Sequence, residues 1–143
     1  MSYVTTNAML AKFGEHELIA LTDNEQPYTG QINTVKLQAA IDSANSEIDG
    51  YLAGRYSLPL ASAPAFLTSL GCDMAHFHGS VGDTQETERT KTRYAIAVKN
   101  LTNISKGLIS LGGAPAGASA PAQTSSNNVM WGVGRRDFGS KNW

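Results

Sequence analysis

Apolar side chains between Asn33 and Gly54 fall at Leu37, Ile41, Ala44, Ile48 and Leu52, in steps of four and three. That is the period of an α-helix with one buried face, and a strand, whose side chains alternate, cannot gather those residues on one side. Lys36, Asp42, Asn45 and Asp49 fall opposite. Asn33 is a good N-cap and Gly54 is the expected stop, while Gly50 inside the helix costs propensity and commonly permits a close backbone approach. A helix with such a stripe needs other apolar faces to cover it, and the rest of the chain must supply them.

The same periodicity supplies four more helices. Thr5 or Thr6 can cap a first one carrying Met9, Leu10 and Phe13, and Gly14 can end it in the left-handed conformation. Glu15 to Leu21 follows as a second short helix with its acids at the positive end of the dipole, and Asp23 to Gly30 is a loop. After the long helix, Arg55 to Ala63 is an extended connection pinned by Pro59. Pro64 then opens a helix with Leu67, Leu70, Met74 and Phe77 inward and Gly79 as its end. Asp83 or Thr84 is the expected cap of the fifth helix, whose stripe is Tyr94, Ala97, Val98, Leu101, Ile104, Leu108 and Leu111, with Glu86 to Lys91 facing solvent.

Gly112 closes the periodic region. Residues 112–128 are an Ala/Pro/Gly/Ser stretch with nothing to bury, a flexible linker by composition. Beyond it, residues 129–143 hold both tryptophans, Trp131 and Trp143, with Val129, Met130, Phe138 and the pair Arg135 and Arg136. Apolar surface of that kind at the end of a linker reads as a docking arm that binds another chain, against the alternative of a tail folded onto its own body. The expectation is therefore an all-α protein: a body of about five helices over residues 1–111, a linker over 112–128 and an extended arm over 129–143.

Length and charge narrow the function. At 143 residues the chain fits one domain, and 41% hydrophobic against 16% charged residues allows a core. Residues 1–83 carry three basic and nine acidic side chains, net −6, and residues 84–143 eight basic and three acidic, net +5. Such a split can be idle on a solvated monomer, or it can join the acidic part of one copy to the basic part of another. The single cysteine, Cys72, forbids an intrachain disulfide and fits a reducing compartment. No signal peptide or membrane-spanning run is expected.

Reaction chemistry finds little support. Cys72, Asp73, His76 and His78 crowd seven residues, and Cys72 with His76 has metal-ligand spacing, but His16 is the only other histidine and a structural zinc needs four ligands. A small buried thiol beside surface imidazoles is the simpler account. Asp42, Glu47, Asp49 and Asp73 could supply an acid/base pair, yet carboxylates so spaced usually form the wet face of a helix. No serine sits in a nucleophile elbow. Gly112-Gly113 and Gly132-Val133-Gly134 lack the residues that would complete a phosphate cradle. The helix after Gly14 carries Glu15 and Glu17 and no cation, the wrong sign for a recognition helix. No catalytic, cofactor-binding or metal residue is expected, and no enzyme class.

The run Ala40 to Leu60, with Ile48, Asp49, Gly50, Tyr51, Leu52, Gly54, Arg55, Tyr56, Leu58, Pro59 and Leu60 as its most specific part, strongly resembles the Mu-like phage head-completion family. Leu10-Ala11-Lys12-Phe13-Gly14-Glu15, Leu21-Thr22-Asp23 and Leu70 to Ala75 agree with it in the same order, so the likeness covers residues 3–111. The resemblance implies a head-to-tail adaptor without a catalytic site: a helical bundle forming a homo-oligomeric ring, usually twelve-membered, between the portal protein and the tail-terminator or neck proteins. It places the protein in the virion neck, after assembly in the host cytoplasm, with DNA passing through the ring unread and no membrane partner. Arg135-Arg136-Asp137-Phe138 is similar to the family's tail, whereas Trp131 and the long linker depart from it. The rival readings are another virion assembly module, tail-completion or scaffold-associated, and a small helical enzyme using Cys72 and His76.

Overall fold

Helix starts and stops follow local hydrogen bonding. In the computed structural model, which describes residues 2–80 and 87–112, the Thr5 hydroxyl accepts the Ala8 N–H at 3.2 Å and opens α1, Thr6–Phe13. Gly14, at φ +83°, closes α1 through its N–H to the Leu10 carbonyl and at once begins α2, Glu15–Thr22. Two helices thus share one residue, which only glycine tolerates without strain. Asn33 caps α3, Thr34–Leu52, by accepting the Lys36 N–H at 3.2 Å. Pro64 precedes α4, Ala65–Ser80, and its carbonyl takes the Thr68 N–H.

Four expectations about helix ends are corrected. α5 is Glu88–Ser105 and its cap is Thr87, whose hydroxyl accepts the Thr90 N–H at 3.3 Å; Asp83 and Thr84 lie outside the described residues. Thr90, placed in the solvent-facing stretch by sequence, is buried. The last turn of α3 is closed by the Arg55 and Tyr56 N–H groups on the Leu52 carbonyl, so the helix stops at Leu52 and not at Gly54. Gly79 does not end α4. It is buried, and a methyl there would lie 3.0 Å from Leu21 Cδ2. Finally, Leu108 and Leu111 fall beyond α5: the chain turns at Gly107, φ +79°, leaving Leu108 75% exposed.

α3 and α4 are the central pair, each in contact with all four other helices, while α5 packs on those two and on neither α1 nor α2. The core is a single cluster running from Tyr3 and Val4 through Met9, Leu18, Ile41, Ile48, Leu52, Leu67 and Met74 to Leu101 and Ile104. α4 packs tightly at Gly71, where a Cβ would overlap Val4 and sit 2.9 Å from Ile48 Cδ1 of α3. All described elements are helices, and no described helix is long and apolar enough to cross a membrane.

Candidate functional site

The segment Ile48 to Leu60 forms the joint between the end of α3 and the end of the body. Ile48, Leu52 and Tyr56 are core residues, and Tyr51, Leu58 and Leu60 are half-buried against them. The Tyr56 hydroxyl accepts the Leu111 N–H at 3.2 Å. Burial pushes that phenol up, but the Leu111 N–H, the Arg55 guanidinium and the Ser110 hydroxyl outweigh it and leave it below the usual tyrosine value. The Arg55 guanidinium lies over Gly107, where a Cβ would come within 2.5 Å of its Cζ, and its buried Nε has no partner among the described residues. Pro59 is exposed. So are Gly50 and Gly54, both with open space around them. Among the described residues the close approach expected at Gly50 is therefore not made. It occurs at Gly71 instead.

Asp49 is not on a wet face. Its Oδ1 accepts the Tyr3 hydroxyl at 2.6 Å, and burial together with that carboxylate raises the phenol far above its ordinary range. One turn earlier the Asn45 Oδ1 accepts the N–H groups of Tyr3 and Val4 at 2.9 and 3.0 Å. Together they strap the N-terminal residues to α3, an interaction sequence reasoning missed because Tyr3-Val4 is too short to show a period. Glu47 joins three helices: Oε1 accepts the Tyr94 hydroxyl at 2.8 Å and Oε2 meets His78 Nε2 at 2.9 Å. The Tyr94 ring stacks on Phe77 at 4.1 Å. Glu47 and Tyr94 were legible singly, as polar and apolar positions of two helices, and not as a pair.

Cys72 and His76 do not form a unit. The thiol is buried in the core and pushed up by that burial, the wrong direction for a nucleophile. His76 turns to Glu17, Nε2 to Oε1 3.0 Å, and tilts over Phe13 at 4.7 Å. Both imidazoles are thus partly buried and partnered, not the surface groups expected. Asp73 is half-buried and paired with Lys12 at 2.8 Å. Of the four carboxylates read as a wet face only Asp42 is fully exposed, accepting from Gln38 at 2.8 Å. Among the described residues no three His, Cys, Asp or Glu side chains converge on a point.

Where α5 fails to reach α1 and α2 a cleft of about 430 Å³ opens, lined by Lys12, Phe13, Glu17, His76, Arg89 and Arg93. Lys12 and His76 are held by Asp73 and Glu17, whereas Arg89 and Arg93, one turn apart, have no acidic partner among the described residues. Val129, Met130, Trp131, Arg135, Arg136, Phe138 and Trp143, the expected docking residues, lie outside the described residues, as does the linker beyond Gly112.

Comparison with known proteins adds a lineage to this geometry. Residues 3–130 match the family described as Bacteriophage Mu, Gp36. Gene product J of Escherichia phage Mu is 33% identical over 109 residues, covering 75% of this chain and 74% of that protein. The Mu-like prophage FluMu protein gp36 of Haemophilus influenzae is 33% identical over 86 residues, 60% of each chain.

Proposed function

Because this chain belongs to the Bacteriophage Mu Gp36 family, we propose that it is a structural, non-catalytic protein of the phage particle, a head-to-tail adaptor. In this reading the helical body assembles with like bodies into a ring, twelve-membered by the family resemblance, between the portal and the tail-terminator or neck proteins. DNA passes through without being read. Residues 129–143 dock on the portal or on an adjacent adaptor.

The observation that carries the reading is what the most family-specific segment is used for. Arg55 and Tyr56 grip Gly107 and Leu111, just before the stretch that the sequence marks as a linker. A segment that fixes the departure point of the following residues serves a tethered arm, which then acts at high effective concentration on a neighbour. Gly50 and Gly54, exposed and required by no contact among the described residues, suit a surface approached closely by another subunit.

Deletion of residues 113–143 tests it. The expected product keeps the helical circular dichroism of the body and no longer co-purifies with portal protein; retained portal binding removes the anchor role. Mass spectrometry of purified particles checks the location. An adaptor stays in complete virions and is absent from isolated tails, whereas a scaffold-associated factor is lost from mature particles.

A further inference from the structure

We infer that one copy of this protein docks on the next by seating the loop between α2 and α3, with Glu25 and Tyr28 foremost, in the cleft lined by Phe13, Arg89 and Arg93. The inference rests on the ring reading for its setting and deepens it by naming the two contacting surfaces.

The loop is built to present side chains outward. Asp23 accepts the Thr29 N–H at 2.9 Å and the Gly30 N–H at 2.6 Å. The Thr22 hydroxyl accepts the Asn33 N–H at 3.0 Å, and Lys36 bonds Asn24 across the base. All those bonds fix the loop's backbone and base, and none involves its tip. There Tyr28 stands 65% exposed, and Glu25, exposed as well, has no partner among the described residues. A rigid aromatic on a preorganised loop loses little entropy on docking, which is why tyrosine is enriched at the centres of interfaces.

The cleft is its complement in charge and in kind. Arg93 is half-buried and Arg89 lies one turn before it on the same flank of α5. Two like charges at that spacing repel each other in a helix, and the one acid of the cleft wall, Glu17, is paired with His76 and not with either arginine. A carboxylate entering the cleft would pair with both, while the Phe13 ring offers an edge or face to the tyrosine. Loop and cleft are different surfaces, so the contact is head-to-tail, the kind that propagates around a ring.

Charge reversal on the full-length chain decides the matter, with self-association followed by sedimentation velocity over a concentration series. Arg93→Glu and Glu25→Arg are each expected to weaken association at least about tenfold, equal to about 1.4 kcal/mol, and the double variant to recover most of it. Tyr28→Ala, on an exposed loop that cannot unfold the core, is expected to weaken association as well. Overturning results are a chain that stays monomeric at every concentration, association indifferent to Tyr28→Ala, or reversals whose defects add instead of cancelling. Arg93→Glu changing only the melting temperature also overturns it, assigning the arginines to an acid of their own chain. The two readings fail separately. Rescue in solution by a protein absent from virions would uphold the contact and end the adaptor role, whereas a ring indifferent to these residues would do the reverse.

Discussion

Tyr94 shows how a residue placed correctly by periodicity can still hide its chemistry. Its position on the inner side of α5 follows from the spacing to Ala97, Leu101 and Ile104, but its hydroxyl finds Glu47, forty-seven residues earlier in the chain. No local pattern encodes that pair, because each member satisfies its own helix as an ordinary amphipathic position. Burial and the neighbouring carboxylate push the phenol up to about 12, against 10.0 for a free tyrosine. Unfolding restores the lower value. The protonated phenol therefore stabilises the fold fully below pH 10, and the contribution is lost as pH rises from 10 towards 12. Tyr94→Phe keeps the stack on Phe77 and removes the titration. At neutral pH it is expected to cost about 1.5–3 kcal/mol, the usual worth of a hydrogen bond to a charged group. Thermal melts at intervals above neutrality should show the two proteins converging in stability as the native phenol ionises. Parallel alkaline profiles would mean that the Glu47 bond does not matter to the fold.

At the level of elements, five amphipathic periods give five helices, since burial of one stripe per helix leaves a clear mark on sequence. What the stripes conceal is the purpose of each glycine. Gly50, Gly54, Gly71 and Gly79 all lie within or beside helical patterns, and sequence reasoning took Gly54 and Gly79 as stops and Gly50 as a place of close approach. The difference lies in what stands across the interface, which belongs to another part of the chain: Val4 and Ile48 face Gly71, Leu21 faces Gly79, and no described residue faces Gly50 or Gly54. The same Gly→Ala change should thus have opposite signs at two positions. Gly71→Ala forces a methyl into Val4 and Ile48 and is expected to destabilise by about 1–3 kcal/mol, the range for overpacked cores. Gly50→Ala adds a methyl in open space and removes backbone freedom, for an expected gain of about 0.5–1 kcal/mol. Urea unfolding of the two variants checks both. A loss at Gly50 in the free protein would mean that its open surroundings have been misjudged.

For the molecule as a whole, the acidic and basic parts of the sequence are not kept apart among the described residues. α5, with Arg89 and Arg93, returns beside the corner of α1 and α2, so that Glu17 and the arginines line one cleft. That return depends on α4 reversing the chain, a tertiary event that composition by halves cannot register. The aromatic distribution is simpler, and it supplies its own probe. Trp131 and Trp143 are the only tryptophans, and both follow Gly112, so the body contains no indole. Tryptophan emission from the unmodified protein therefore reports on residues 113–143 alone, while circular dichroism reports mainly on the five helices. If the arm finds its binding place on the portal or on a neighbouring copy, emission from the dilute free chain should be that of water-exposed indole, readily quenched by acrylamide and insensitive to melting of the helices. Adding purified portal should shift it to shorter wavelength and protect it from the quencher, because aromatic anchors are desolvated at the centre of a contact. Helical dichroism should change little. Indoles already shielded in the free chain, and unaltered by portal, would place the arm against its own body and leave any portal contact to the helices alone.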